Sequence, residues 1–126
     1  MFLTPKGGGE CEEAIMRYSE QLCPRYQQAI ELLGKRWTGL ILLVLMTKPL
    51  RFNEMAEQLE VVSDRMLSER LKELEAEGVV ARCVYPETPV RIEYRLTEKG
   101  KALAPVIEAI GEWSQRWIEL DAVPVE

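Results

Sequence analysis

Apolar and polar positions alternate in distinct regimes along the chain. From Glu12 to Leu22 the apolar residues Ala14, Ile15, Tyr18 and Leu22 recur at helical spacing, predicting a first helix that ends where Pro24 interrupts it. Pro24 suits the first position of a second helix, because the N–H it lacks would have no intrahelical partner there. That helix carries Ala29, Ile30, Leu32 and Leu33 and stops at Gly34. The next run, "WTGLILLVLM", is hydrophobic nearly all round, which predicts a helix buried at the centre of the domain and ended by Lys48-Pro49.

In "RFNEMAEQLEVVSDRMLSERLKELEAEGVV" the pattern becomes amphipathic. Phe52, Met55, Ala56 and Leu59 predict a short helix, two valines make a tight connection, and Ser63 stands where an N-cap belongs. The following helix sets Leu67, Leu71 and Leu74 on one face, and Gly78 supplies a left-handed stop. Two short helices joined by a brief turn form a helix-turn-helix.

"VVARCVYPETPVRIEYRLT" then predicts a β-hairpin around "PETP", with Val80, Val84, Ile92, Tyr94 and Leu96 facing inward and Arg82, Arg91, Glu93 and Arg95 outward. A hairpin directly after a helix-turn-helix makes a winged helix. Thr97 is expected to cap one last long helix, kinked or restarted at Pro105. Its apolar residues Leu103, Val106, Ile110, Trp113, Trp117 and Leu120 follow a three-four spacing, a heptad seam that calls for a partner helix. The expected fold is mainly α with a small β-hairpin: a winged helix-turn-helix domain flanked by N- and C-terminal dimerisation helices. Residues 1–10 read as a flexible tail, 11–120 as one domain and 121–126 as a second tail; within the domain the helix-turn-helix spans about 51–78, the wing 79–96 and the dimerisation helix 97–120.

Composition narrows the function classes. With 126 residues, 47% hydrophobic and 29% charged, the chain can bury a core without metals or disulfides. "MFLTPKGGGE" has neither a basic start nor a long apolar segment, and "GLILLVLM" is far short of the roughly 20 residues a membrane span needs. A cytoplasmic protein with no membrane association is therefore expected. Cys11, Cys23 and Cys83 match no zinc spacing, and the chain contains no His to complete a mixed site, so no metal or cofactor is expected. The missing His also removes the commonest general base, no glycine-rich phosphate loop follows a strand, and "KGGGE" reads as linker, so an enzyme is not expected. The net charge of −5 weighs against nucleic acid until the charges are located, since a small basic face docks on DNA while the rest of a surface stays acidic.

Such a face lies opposite Leu67, Leu71 and Leu74, where Arg65, Ser68, Glu69 and Lys72 share a side of the second motif helix. A recognition helix reads base edges with its N-terminal residues, so Arg65 is the candidate guanine contact and Ser68 a base or phosphate contact. Ser63 and the open amides of that helix end suit a phosphate. Arg91, just past the "PETP" tip, is placed to meet the minor groove or its phosphates; pairing with Glu93 or Glu87 is the alternative. Lys48 and Arg51 precede the motif and can meet the DNA backbone. Arg65 and Lys72 can equally pair with Glu69 as surface charges.

The ordered segments "CP", "LLGKRW", "LRFNEM", "RMLSERLKELEAEGVV", "VYPETPVRIEYRLTEKGKAL" and "EAIGEW" resemble the HxlR family of winged-helix regulators related to MarR, over about Cys23 to Trp113. The "CP", "LLGKRW" and "PETPV" segments are most similar to a thiol-based subgroup of that family. The resemblance implies a homodimer on a pseudo-palindromic operator of double-stranded DNA, repressing detoxification genes and released by a reactive small-molecule inducer such as an oxidant, quinone or aldehyde. It also implies that the sensing cysteine maps onto Cys23. Some relatives carry a cysteine near the C-terminus; this chain has none there, which leaves Cys11 and Cys83 as internal partners. A helix start with a cation nearby, here Arg25, is the setting in which cysteines react as thiolates, whereas a small buried hydrophobe is the inert alternative. A winged-helix regulator gated by a noncovalent ligand and a winged-helix protein-interaction module are the competing functions; a ligand titration of Cys-free protein and a salt-dependent gel shift separate them.

Overall fold

Pro24, Gly34, Gly78 and Pro105 lie at element boundaries in the computed structural model, which describes residues 23–120. Cys11 and the helix expected over 12–22 lie outside the described residues. The described residues divide into two compact units, one ending at Lys35 and one beginning at Arg36. In the first, helix α1 (Pro24–Leu33) begins with Pro24 in its first turn, and the Cys23 carbonyl accepts the Gln27 N–H at 3.0 Å. At its end the Gly34 N–H reaches the Ile30 carbonyl at 2.7 Å. No residue of α1 is buried, and Tyr26 and Ile30 are exposed.

In the second unit Trp37, whose φ of 78° is left-handed, leads into α2 (Thr38–Leu45). Thr38, Ile41, Leu42 and Leu45 are buried, but Leu40 and Leu43 are exposed, so α2 is not the all-round buried helix expected from its composition. It also ends before Lys48-Pro49: the Thr47 hydroxyl donates to the Val44 carbonyl at 2.8 Å and closes the last turn.

Helix α3 (Phe52–Gln58) buries Met55 and is followed by buried Leu59 and Val62. Its entry is fixed by the Arg51 N–H donating to Glu54 Oε1 at 2.8 Å. Helix α4 (Asp64–Ala76) buries Leu67, Leu71 and Leu74. At its end Gly78, with φ of 77°, lets its own N–H reach the Glu75 carbonyl and that of Val79 reach the Leu74 carbonyl. This pair of bonds satisfies carbonyls the helix leaves open and brings buried Val79 onto Leu74.

Strands β1 (Val80–Tyr85) and β2 (Arg91–Leu96) form the antiparallel wing, with Val80 opposite Leu96 and Tyr85 opposite Arg91. Leu50 and Tyr94 exchange backbone hydrogen bonds, attaching the segment before α3 to the wing. Period-two alternation puts Arg82 on the same face as Val80 and Val84, not on the face of Arg91, Glu93 and Arg95. Only Val80 at the base of that strand is buried; Val84 is exposed, so the inward assignment holds near the core and fails toward the tip.

The helix expected after Thr97 restarts at Pro105, as one of the two expected outcomes, giving α5 (Glu98–Lys101) and α6 (Ala104–Trp117). Thr97 caps the short α5, its oxygen accepting the Gly100 N–H at 3.1 Å, and Pro105 lies in the first turn of α6. The residue of α6 that enters the core is Ile107, outside the predicted seam. Along that seam Val106, Ile110, Trp113 and Trp117 are exposed, as is Leu120 beyond the helix, while Leu103 is half-buried. Among the described residues no helix is long and apolar enough to cross a membrane.

Candidate nucleic-acid interface and thiol site

The exposed strip of α4 follows from the burial of its opposite face. With Leu67, Leu71 and Leu74 in the core, Arg65, Ser68 and Lys72 are three and four residues apart on one line, Ser68 half-buried and the two cations exposed. Ser63 caps the helix by accepting the Met66 N–H at 3.1 Å, and its own hydroxyl proton stays available to donate. Arg65 pairs with Glu69 at 3.6 Å in an exposed i,i+4 contact. Such a pair contributes roughly 0.3–0.5 kcal/mol, small enough to exchange for a base edge. Both sequence alternatives for Arg65 are therefore compatible with one geometry.

The wing departs further from a simple basic tip. Arg91 is two-thirds or more covered and donates Nη2 to Glu87 Oε2 at 2.9 Å and Nη1 to Glu93 Oε2 at 2.8 Å. Its guanidinium also stacks 4.1 Å from the centroid of the Tyr85 ring. The hydrogen bond from Arg91 holds the Glu87 carboxyl below the usual glutamate range, helped by the charges of Arg91 and Arg51. Reciprocally, the bonds to Glu87 and Glu93 push Arg91 further into its charged form. Tyr85, Glu87 and Glu93 thus belong to the wing site. Glu87 and Glu93 were legible as alternative partners of Arg91, Glu93 through the two-residue spacing that sets it on the same strand face, whereas Tyr85 is brought to Arg91 only by the strand register.

Cys23 is half-buried at the N-terminal boundary of α1 and its side chain does not cap that helix. Cys83 is half-buried on the Tyr85 and Glu93 face of the hairpin, directly opposite Glu93. Neither is disulfide-bonded. Among the described residues no group of His, Cys, Asp or Glu could hold a metal ion.

The helix-turn-helix, its wing and the exposed α4 strip agree with a comparison over most of the chain. Residues 32–122 match the family model of the HxlR-like helix-turn-helix. The chain belongs to the HxlR family. YvaP, an HTH-type transcriptional regulator of Bacillus subtilis, is 54% identical to this HxlR-family chain over 99 residues, covering 79% of this chain and 92% of the relative. The reduced form of the B. subtilis regulator YodB is similar in structure, with a TM-score of 0.71 at 50% identity over 77% of this chain and 95% of that one. YodB is also known in diamide-treated and quinone-bound structures. The redox regulator HypR in its oxidized form has a TM-score of 0.73 at 34% identity, over 78% of this chain and 100% of that one. As an HTH-type transcriptional regulator of this family, the chain carries a DNA-binding element in α3 and α4.

Proposed function

We propose that this HxlR-family regulator is a homodimeric, sequence-specific repressor of detoxification genes that leaves its operator when Cys23 is modified. The observation that carries the reading is the position of Cys23, half-exposed at the start of α1, in a chain half identical to a regulator known in diamide-treated and quinone-bound forms. A quinone would add to the Cys23 sulfur, forming an S–C bond at the expense of a ring C=C bond and leaving a thioether hydroquinone once the thiol proton reaches one ring oxygen and the proton of the substituted ring carbon the other. Diamide would join two thiols into a disulfide while its N=N bond takes up both hydrogens. The partner thiol is a second copy's Cys23, or Cys11 or Cys83.

On DNA, α4 lies in the major groove with Arg65 on a guanine, Ser68 on a base or phosphate, and Ser63, Lys72 and Arg51 on the backbone. A homodimer formed through the α6 seam sets two such helices about one helical turn apart, so a small rotation between protomers breaks the fit.

Gel shifts on the protein's own upstream DNA, with and without diamide or benzoquinone, test the whole reading. The parent protein is expected to bind and be released, and Cys23→Ser to bind equally and ignore both reagents. Release of Cys23→Ser by oxidant would remove Cys23 as the sensor. Binding without preference over random duplex at every ionic strength would replace the regulator reading with a protein-interaction module.

A further inference from the structure

We propose that Arg91 is the positioning residue of the wing, holding the 86–90 tip through Tyr85, Glu87 and Glu93 and making no phosphate contact of its own. The register puts Arg91 opposite Tyr85, the last pair before the loop, so whatever fixes this pair fixes the tip. Above the ring the guanidinium fork is committed on both sides. Nη2 and Nε reach the two oxygens of Glu87 at 2.9 and 3.3 Å, and Nη1 reaches Glu93 at 2.8 Å. The planar fork matches carboxylate geometry and stacks on an aromatic face, which an ammonium cannot do together.

Charge decides against a free phosphate-seeking arginine. Between Cys83 and Glu93 the chain has two carboxylates, Glu87 and Glu93, and Arg91 as its sole cation, while Arg51 adds only a weaker charge at Glu87. If Arg91 swung away to a phosphate, it would abandon both carboxylates beside a polyanion. Kept in place, it shields them, and with 27% of its side chain exposed it is already largely withdrawn from solvent. The wing then meets DNA as a fixed shape carrying neutralised acids, a form of readout through groove geometry.

The inference rests on operator binding by the wing, but a readout without DNA separates the two. Full-length protein with Arg91→Lys or Arg91→Gln is compared with the parent for amide hydrogen exchange at residues 85–91, with α2 amides reporting that the core is intact. Operator affinity is then followed across salt concentrations. Both variants are expected to speed exchange at the tip and to weaken operator binding by roughly five- to tenfold, the size of coupling seen within one side-chain network. Lys should rescue no better than Gln, and the slope of log affinity on log salt should stay at the parental value. The proposal is overturned if exchange at 85–91 is unchanged, or if Lys restores affinity while Gln lowers the slope by about one, the signature of a lost phosphate contact. Should the parent show no operator preference, the DNA reading falls, and the exchange result still decides whether Arg91 holds the tip.

Discussion

Arg70, on the flank of α4, donates its Nε–H to the main-chain carbonyl of Arg36, 2.8 Å away and 34 residues earlier in the chain. Its Nη1 also bonds both carboxylate oxygens of Glu73, and only 13% of the side chain is exposed. The carbonyl it grips belongs to the residue before Trp37, whose left-handed backbone is a costly conformation for a bulky side chain and persists only where surrounding contacts enforce it. Arg36 adds to those contacts by lying 4.4 Å over the Trp37 ring. Arg70→Met keeps most of the apolar stem and loses the bonds; denaturant unfolding should show a loss of about 1.5–3 kcal/mol, the usual worth of a hydrogen bond from a charged donor.

Glycine is required at position 100 by contact. A Cβ there would collide with the Val79 carbonyl oxygen and press on Leu96 at 3.1 Å. Gly100→Ala must push α5 off the base of the wing, and thermal unfolding should show a loss of roughly 1–3 kcal/mol, as overpacking typically costs. Gly78→Ala clashes with nothing near but forces alanine to φ of 77°, and should cost about 1 kcal/mol.

The ion pair at the wing tip gives a signed pH dependence. Because the folded protein holds the Glu87 carboxyl below its ordinary value, the pair's contribution is fully present above the unfolded-state pKa and is lost as pH falls through the folded one. The difference in stability between the parent and Glu87→Gln should be constant from neutral pH down to about 5 and shrink below about 4, near the unfolded glutamate value. A difference that grows on acidification would contradict the pairing.

On the α4 strip, Arg65 and Lys72 should fail differently. Arg65→Ala is expected to cost about 1–3 kcal/mol on the preferred operator and to relax selectivity at one base pair. Lys72→Ala is expected to weaken all sequences alike and lower the salt slope by about one. Competition binding against single-base operator variants distinguishes the outcomes.

Trp113 and Trp117, 59% and 66% exposed, contribute little to the core of the isolated chain. Trp113→Glu should therefore leave helix content and unfolding of the monomer nearly intact while weakening self-association at least about 30-fold, the loss expected for a buried aromatic anchor. Sedimentation velocity across a concentration series reads this directly.

Local chemistry made much of the fold legible. Pro24, Ser63, Gly78 and Thr97 each act at the boundary their residue type predicts, and the leucines of α4 face inward as their spacing requires. What was not legible depends on distance in sequence. Nothing near Trp37 announces a left-handed residue, because the contact that supports it comes from Arg70. Composition cannot tell a face of α2 that meets the core from the face bearing Leu40 and Leu43, since both are leucine-rich. In the candidate site, the strip of α4 was readable from helical periodicity. The engagement of Arg91 needed the strand register that brings Tyr85 beneath it.

The wing is stitched down at its base. Leu50 and Tyr94 exchange backbone bonds ahead of α3, the Thr97 hydroxyl donates to the Gly78 carbonyl at 2.6 Å, and the Lys99 ammonium donates to the Glu77 carbonyl at 2.7 Å. These ties close the segment from Leu50 to Lys99 on itself and join α3, α4 and the hairpin into one stencil. In the homodimer proposed above, base preference would then be written inside the stencil and the spacing between two stencils outside it, so that substitutions in α4 would change which bases are read and substitutions in α6 how far apart they lie.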